Sequence, residues 1–537
     1  MNSIKIGKNA IENLTRGMYH DSQIIYREYI QNAVDQKIEG EELIIDISID
    51  KNARKIVIKD NATGVKVDKV KSTLADVADS DKQRGESAGF RGIGRLGGLA
   101  YCGKLKFITT ARGERKKTIM SWDAKYLSDM LDDNSVKEDA GTILQKIISY
   151  DYEDCPVEEH YFIVELEDVK EENFDLLDVE KVRRYIAINT PVPFSGKFYY
   201  KKKIYDYLKE KEIDKNEYKI YVNSEDIHKL YTTVLYEKGG NHPTKKYDEI
   251  YDIEIKEFYT ETGEFLAWMW YGISRFEKQI PFPLNEIAGI RLRQFNIQIG
   301  DERTLVPFFK EVRGNLYYVG EVHVMHNGLI PNARRDYFNE NKIRNEFEAE
   351  LKYFFFSTLH NLYINANRIK NNYKKEVDLI RKKEEYEKKK NNSIFVSDNE
   401  IKKDKEKVEK AKLENDKAKK ELERIKKKAD ENQILDIVYK HIEDKHNETL
   451  KEVGFETSEL LEKEIIDDKD LKENSNSSYK KKKKYLANEL SHLPKEQQKL
   501  ISHIYDIIKQ NLPDKQSEEL VAKIQEELKY GKKSSVG

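Results

Sequence analysis

The chain has 537 residues, too many for one hydrophobic core, and its length predicts about two to four domains. Its 96 Lys and Arg against 98 Asp and Glu leave a formal charge of −2, which excludes the global positive field typical of nucleic-acid-binding proteins. Two cysteines exclude a disulfide framework. No signal-peptide pattern and no run of about eighteen apolar residues occurs, so we expect a cytoplasmic protein without a membrane span.

A helix is predicted at Tyr26–Gln36, where the sequence reads YREYIQNAVDQ. Ile30, Ala33 and Val34 recur at spacings of three and four, which is the period of a helix with one buried face. Ile25 continues that face one turn earlier. The segment is therefore expected to pack on the core of the first domain.

Three polar side chains, Glu28, Asn32 and Asp35, lie on the same predicted helix. Glu28 and Asn32 are four residues apart and Asp35 follows three residues later, so all three project from neighbouring turns. Hard oxygen ligands beside a carboxylate suit a metal-bound phosphate. The same spacing also suits a solvated helix face, so these residues alone leave both interpretations open.

Strand patterns and turns alternate through the rest of residues 1–165. Several hairpin-linked strands with few helices predict an α+β domain in which helices cover one face of a sheet. The predicted strands are Leu43–Asp50, Lys55–Asp60 and the stretches KLKFITTA, KKTIMSWD, GTILQKII and HYFIVELE.

The stretch IKDNATGV places Asp60 at the end of a strand and Gly64 in the turn that follows. A buried carboxylate at a strand end can accept a hydrogen bond from the exocyclic amine of adenine. Glycine lets the backbone pass close beneath a base. A glycine-containing turn after an edge strand would explain the same residues.

Residues 89–105, GFRGIGRLGGLAYCGKL, contain six glycines in seventeen residues. Gly89, Gly92 and Gly94 are predicted to form a loop whose bare amides surround phosphate oxygens. The following RLGGLAYCG is expected to start a helix whose N-terminus favours anions. No strand precedes the glycines and no lysine–serine pair follows them, so the pattern is neither a Rossmann fingerprint nor a Walker A loop.

The stretch AGTILQ places Thr142 at the predicted start of a late strand. A hydroxyl group there can share the adenine, or a bridging water, with Asp60. Taken alone, the residue is an ordinary strand start.

Residues 190–365, rich in Tyr and Phe, predict a second α+β domain. Residues 366–430 are rich in Lys and Glu, and a heptad pattern there predicts a weak coiled coil. A single charged helix, or a hairpin within the chain formed with Tyr373–Lys390, is the alternative. The heptad has Ile401, Val408, Asn415, Leu422 and Ala429 at position a and Asp404, Ala411, Ala418 and Ile425 at position d.

Residues 431–537 predict a helical C-terminal region. The stretch 473–484 contains a lysine run and is expected to be a flexible linker. Two short amphipathic helices, broken at Pro513, are predicted to follow it.

The succession E-x-x-x-N-A-x-D, D-N-x-x-G, G-F-x-G-x-G and G-T resembles the Bergerat-fold, or GHKL, ATPases. This class covers DNA gyrase, the ninety-kilodalton heat-shock chaperones, histidine kinases and MutL. The resemblance spans roughly residues 20–165, and REYIQNAVD is closest to the chaperone form. Only 27 residues precede Glu28 and His20 is not in the context of a phosphoacceptor hairpin, so we do not expect a histidine kinase. The resemblance implies binding of ATP with Mg²⁺ and hydrolysis to ADP and phosphate.

The resemblance also gives the matching positions roles. Glu28 matches the general base that activates water, and Asn32 matches the magnesium ligand. Asp60 matches the adenine-reading carboxylate, Thr142 matches its helper, and Asp35 matches a common family position. The other implied nucleotide-binding residues are Gly64, Gly89, Arg91, Gly92 and Gly94.

The chain departs from the family pattern at Ala62, where glycine is usual, and this change is expected to narrow the pocket or slow turnover. The second domain resembles the transducer or middle domain of the clamp-type members. That domain supplies a basic residue to the γ-phosphate. Arg334 or Arg335 is expected to take this role, with Arg291 and Arg293 as alternatives.

The resemblance implies a nucleotide-gated homodimeric clamp, of the chaperone or microrchidia kind, that acts on a protein client or partner subunit. A MutL-like clamp that binds DNA, and a nucleotide-sensing scaffold with negligible turnover, remain as alternatives. Bacterial defence modules often use such ATPases, so antiviral defence is one setting that this association suggests.

Overall fold

The structure is a computed structural model, and it describes residues 6–15, 17, 21–76, 94–238, 244–282, 284–392, 395, 397–452 and a discontinuous set between 501 and 524. The chain divides into two compact units, residues 1–462 and 463–537. None of the helices in these ranges combines the length and apolar character that crossing a bilayer requires.

Within the described residues, the larger sheet has eight strands in the order β5-β4-β3-β6-β2-β1-β7-β8. Neighbouring strands are antiparallel except β1 and β7, which run parallel. The strands are β1 Ile44–Asp50, β2 Lys55–Asp60, β3 Lys104–Thr110, β4 Lys116–Asp123, β5 Ile148–Asp154, β6 Tyr161–Glu167, β7 Lys219–Val222 and β8 Glu225–Asp226.

Alternation of side chains gives this sheet one apolar face. In β1, for example, Ile45, Ile47 and Ile49 are buried while Asp46 and Asp50 are exposed. Helices cover the apolar face, as predicted for an α+β domain, and the core contains residues of all of them. They are α1 Asn9–Thr15, α2 Ile24–Asp35, α3 Ala124–Asp132, α4 Ala140–Ile147 and α5 Val179–Asn189.

The prediction of a strand at GTILQKII was wrong, because residues 140–147 form helix α4. Asp139 caps this helix by accepting a hydrogen bond from the Thr142 amide at 3.1 Å, and the stretch has a strongly amphipathic helical pattern. The strand β5 begins only at Ile148. A good N-cap thus outweighed the β-branched residues that suggested a strand.

The larger sheet also takes strands from the region predicted to start a second domain. β7 pairs with β1, and Asn223 accepts a hydrogen bond from the Ile49 amide at 2.8 Å. Residues of α5 and β7 are part of the first core. The first core therefore extends beyond residue 165.

A smaller sheet follows, with five strands in the described part of the chain in the order β11-β12-β15-β13-β14. At its centre, Glu321 is fully buried and pairs with Lys229 at 2.8 Å and with Arg293. Beside it are α6 Lys201–Glu210 and a two-stranded sheet. The strands are β9 Val234–Glu237, β10 Lys245–Glu249, β11 Asp252–Tyr259, β12 Phe265–Ile273, β13 Gly289–Gln294, β14 Ile297–Ile299 and β15 Val319–Val324.

Four helices complete the first unit: α7 Lys342–Phe354, α8 His360–Asn391, α9 Asp398–Asp430 and α10 Gln433–Glu452. Helices α8 and α9 pack together as a hairpin within the chain, which is the alternative to an intermolecular coiled coil. Six of the predicted heptad positions are buried, namely Val408, Ala411, Asn415, Ala418, Ile425 and Ala429.

The second unit is described only in part. Tyr505 and Val521 are buried there and pack with Ile501, Ile508 and Ile524. The predicted linker at 473–484 and the predicted break at Pro513 lie outside the described residues.

Candidate functional site

Helix α2 carries the three polar residues singled out in the sequence, and its apolar stripe is buried as predicted. Glu28 is only 7% exposed although it is a carboxylate, while Asn32 and Asp35 are half-buried. The Arg27 guanidinium donates to Glu28 Oε1 at 3.3 Å. A buried carboxylate held by one cation on a rigid helix is a preorganised group rather than a solvated one.

The end of the glycine-rich stretch lies directly against Glu28. Residues 94–100 form a 3₁₀ helix rather than the expected α-helix. A Cβ atom at Gly94 would overlap Glu28 Oε2, so a larger residue here would require the Glu28 side chain to shift. One turn later, the Gly98 amide donates to the Tyr29 hydroxyl oxygen at 3.1 Å.

The turn after β2 presents a buried carboxylate. Asp60 is 6% exposed and accepts a hydrogen bond from the Ala62 amide at 3.0 Å. Burial raises the pKa of the Asp60 carboxyl from 3.8 to about 7, and the Ala62 hydrogen bond opposes this shift. The burial of Asp60 at the end of β2 agrees with the sequence analysis, and its role in binding adenine stays a prediction.

Gly64 closes this turn in a conformation that other residues adopt with strain. Its φ is +64°, and a Cβ atom there would overlap the Thr110 carbonyl oxygen. Next to it, the Val65 amide donates to Thr109 Oγ1 at 2.9 Å, and the Thr109 hydroxyl donates to the Tyr161 carbonyl oxygen at 2.9 Å. The ends of β3 and β6 therefore fix the loop that follows Asp60.

The two halves of the site are tied to the two ends of α2. The Thr63 amide donates to the Gln36 carbonyl oxygen at 3.1 Å, which joins the Asp60 turn to the C-terminal end of the helix. Gly94 contacts Glu28, which lies about two helical turns before Gln36. Helix α2 thus sets the distance between the Asp60 carboxyl group, which suits adenine, and the glycine-containing backbone at 94–98, which suits phosphates.

Residues 20–151 match the family described as histidine kinase-, DNA gyrase B- and HSP90-like ATPases. The sheet with helices on one face that contains these residues is consistent with a GHKL ATPase domain. The chain is also similar to the chaperone protein HtpG of Wigglesworthia glossinidia brevipalpis, at 24% identity over 281 residues. That similarity covers 47% of this chain and 38% of the relative, so the chain spans well under half of the relative's length.

The structure places one of the predicted site residues, Thr142, in a different element from the predicted one. Thr142 lies in the first turn of α4, where its hydroxyl donates to Asp139 Oδ2 at 2.6 Å. Helix α4 packs on β4, and two other strands, β3 and β6, separate β4 from the strand that carries Asp60. The assignment of Thr142 to a strand beside the adenine site was therefore wrong.

Two residues that the sequence analysis missed line the Asp60 turn of the GHKL domain. Thr109 holds the Val65 amide, as described above, and His160 Nδ1 donates to the Ala62 carbonyl oxygen at 2.9 Å. Thr109 lies in β3 and His160 directly precedes β6, so both are distant from Asp60 in the chain. For Thr109 the signal in the sequence was the pair of threonines near the end of KLKFITTA.

Three residues of the predicted phosphate loop, Gly89, Arg91 and Gly92, lie outside the described residues. The structure describes the main chain on both sides of that gap, and there the Arg95 guanidinium donates to the Asp76 carbonyl oxygen.

The arginines expected to reach the γ-phosphate lie in the loop between β15 and α7. Arg334 is exposed. Arg335 is buried, has a φ of +55°, and accepts a hydrogen bond from the Gly300 amide at 2.8 Å. Arg291 and Arg293 are buried inside the smaller-sheet domain, and Arg293 is paired with Glu321, so these two alternatives are held in structural contacts.

The residues present fit a magnesium ion bound together with a nucleotide. Mg²⁺ commonly takes one or two protein oxygens and fills its remaining positions with water and phosphate oxygens. The half-buried Asn32 amide, next to Glu28 on α2, provides such an oxygen. In the described parts of the chain no group of three or more His, Cys, Asp or Glu side chains is placed to hold a metal ion.

Proposed function

We propose that this protein binds ATP in the site formed by α2, the Asp60 turn and residues 94–98, and hydrolyses it to ADP and phosphate. The observation that carries the proposal is the contact between the buried Glu28 carboxylate and the Gly94 backbone. It puts a proton acceptor beside backbone that can approach a phosphate closely.

Each residue has a stated part in this reaction. Asp60 accepts a hydrogen bond from the adenine amine, which favours its ionised form. Glu28 orients a water molecule and takes its proton as the water attacks the γ-phosphorus. Asn32 would hold the magnesium ion, which would neutralise charge on the phosphates. Arg334 or Arg335 places positive charge near the γ-phosphate.

Turnover in this form of the protein is expected to be slow. Arg27 lies 3.3 Å from Glu28 Oε1, so one oxygen of the carboxylate is engaged in an ion pair that an attacking water molecule must share or displace. This contact also supports the second candidate function, a nucleotide-sensing scaffold with little hydrolysis.

Phosphate release by the Glu28→Ala variant tests the proposal. We expect ATP binding to be retained and hydrolysis to fall by about a hundredfold or more, since the general base is lost. The matched control is Asp46→Ala, which removes an exposed carboxylate from the outer face of β1 in the same domain. Unchanged phosphate release by Glu28→Ala would remove the catalytic assignment.

We further propose that the protein acts as a homodimeric, nucleotide-gated clamp on a protein client. The match of residues 20–151 to HSP90-like ATPases and the similarity to a chaperone support this proposal. Sizing the full chain with and without a non-hydrolysable ATP analogue tests it. We expect a larger or more compact species with the analogue, and identical profiles would contradict the clamp.

A further inference from the structure

The Tyr29 hydroxyl joins the helix that carries Glu28 to the segment that lies over it. Tyr29 is 3% exposed, and its hydroxyl donates to the Arg95 carbonyl oxygen at 3.1 Å while it accepts from the Gly98 amide at 3.1 Å. One buried hydroxyl therefore satisfies both a donor and an acceptor of the 94–100 main chain. Leaving these two groups unpaired would be costly.

Two glycines of this segment, Gly94 and Gly98, lie against two adjacent residues of α2. A Cβ atom at Gly94 would overlap Glu28 Oε2, and a Cβ atom at Gly98 would lie 2.5 Å from the Tyr29 hydroxyl oxygen. Glu28 and Tyr29 thus share one close contact surface with the 94–98 backbone. A shift of that backbone would therefore change the contact between Gly94 and the Glu28 carboxylate.

We propose that Tyr29 is a positioning residue for the hydrolytic step, because its hydroxyl fixes residues 94–98 against α2 and thereby sets the place of the Glu28 carboxylate. This inference rests on the proposed ATPase function. It assigns Tyr29 no contact with the nucleotide. Since Asp60 lies at the other end of α2, loss of the hydroxyl should affect turnover far more than nucleotide affinity.

Tyr29→Phe tests the proposal, with Tyr26→Phe as the matched control. Tyr26 is on the same helix, is fully buried, and donates its hydroxyl to the Leu176 carbonyl oxygen at 2.7 Å, away from residues 94–100. We expect kcat of Tyr29→Phe to fall roughly tenfold with KM changed by less than about twofold, and kcat of Tyr26→Phe to stay within about twofold of wild type.

A second measurement does not depend on hydrolysis. Hydrogen exchange of the Gly98 amide should accelerate in Tyr29→Phe, because the acceptor of that amide is lost, and should be unchanged in Tyr26→Phe. Equal kcat values for the two variants, or equal Gly98 exchange, would overturn the positioning role. Absence of Glu28-dependent hydrolysis in wild type would instead overturn the proposed function, so the two failures are distinguishable.

A double-mutant cycle sharpens the test. Gly98→Ala alone should impair the protein because its new methyl group meets the Tyr29 hydroxyl. In the Tyr29→Phe background that oxygen is gone, so Gly98→Ala should reduce kcat by a smaller factor than in wild type. Equal factors in the two backgrounds would show that Gly98 and the hydroxyl act independently, contrary to the proposal.

Discussion

Asp60 is a carboxyl group that folding places where its charged form is disfavoured. It is almost fully buried, accepts one backbone hydrogen bond, and has a pKa of about 7 as a result of burial. A neutral acid at this position is stable in the protein without nucleotide, and an amine donor from adenine would favour the ionised form. The residue therefore links pH, stability and binding.

The free energy of unfolding should fall with rising pH because of this residue. Between about pH 4 and pH 7 the folded protein keeps the Asp60 proton while the unfolded chain has lost it, so each pH unit lowers stability by up to about 1.4 kcal/mol. Above the folded pKa the contribution is constant. Urea unfolding at several pH values should show a steeper fall for wild type than for Asp60→Asn.

The control for this comparison is Asp46→Asn, which changes an exposed aspartate on the neighbouring strand. It should have the pH dependence of wild type. Parallel pH profiles for wild type and Asp60→Asn would show that the Asp60 carboxyl is not perturbed in the folded protein.

At the residue scale, the sequence predicts those site residues whose positions depend only on spacing within one helix or one strand. Glu28 and Asn32 follow from positions on one helix, and Asp60 follows from the end of one strand. Thr109 and His160 reach the site only through the pairing of β3, β6 and β2, which brings together residues far apart in the chain. Spacing along the chain carries no information about such pairs.

Among the elements, the turn after β2 shows how one glycine fixes a functional loop. Gly64 combines a positive φ with close approach to the Thr110 carbonyl oxygen. Gly113 has a φ of +94° but no atom lies within 4 Å of the position of a Cβ atom there. Substitutions at Gly64 and Gly113 therefore distinguish the effect of backbone strain from that of steric overlap.

Gly64→Ala should cost about 3 kcal/mol or more of unfolding free energy, because strain and overlap add. Gly113→Ala should cost only about 1–2 kcal/mol, since it introduces strain alone. Chemical denaturation of the two variants beside wild type measures the difference. Equal losses of stability would mean that the loop relaxes at no cost and that Gly64 is not needed for its shape.

Strands with regular alternation were predicted well at this scale. The predicted bounds Lys55–Asp60 coincide with β2, and HYFIVELE contains β6. The helix at residues 140–147 was not predicted, because two isoleucines and a threonine there favour a strand. Asp139 was the overlooked signal, since an aspartate that accepts a hydrogen bond from the amide three residues later, here that of Thr142, is a helix N-cap.

For the whole molecule, the hairpin of α8 and α9 shows that the charged helix α9 packs within the chain. Its heptad residues pack against α8 of the same chain, where Val408 and Ala411 contact Leu379 and Tyr386. A heptad pattern states which face is buried but not which partner covers it. The sequence therefore predicted the buried face of α9 and left the pairing open.

Val408→Ala should reduce the unfolding free energy by about 1–3 kcal/mol without changing the oligomeric state, because the buried methyl groups contact the same chain. Leu413→Ala is the control on the same helix, since Leu413 is 56% exposed, and its effect should stay within about 0.5 kcal/mol. Denaturation and light scattering measure both effects. Dissociation of a dimer by Val408→Ala would instead show pairing between chains.

The domain organisation was the hardest level to predict. β7 lies about 170 residues after β1 and yet pairs with it in parallel, so the first sheet takes a strand from the following region. Such a crossover has no local signature in the sequence. The same pairing places the loop before β7 beside α2, where Lys37 contacts Asp214 at 3.3 Å.

The central claim is that α2, the Asp60 turn and residues 94–98 enclose a nucleotide. Calorimetric titration of wild type and Asp60→Asn with ATP and magnesium tests it most directly. We predict saturable binding of one ATP per chain to wild type and no measurable binding to Asp60→Asn under the same conditions. Equal affinity of the two proteins for ATP would contradict the account.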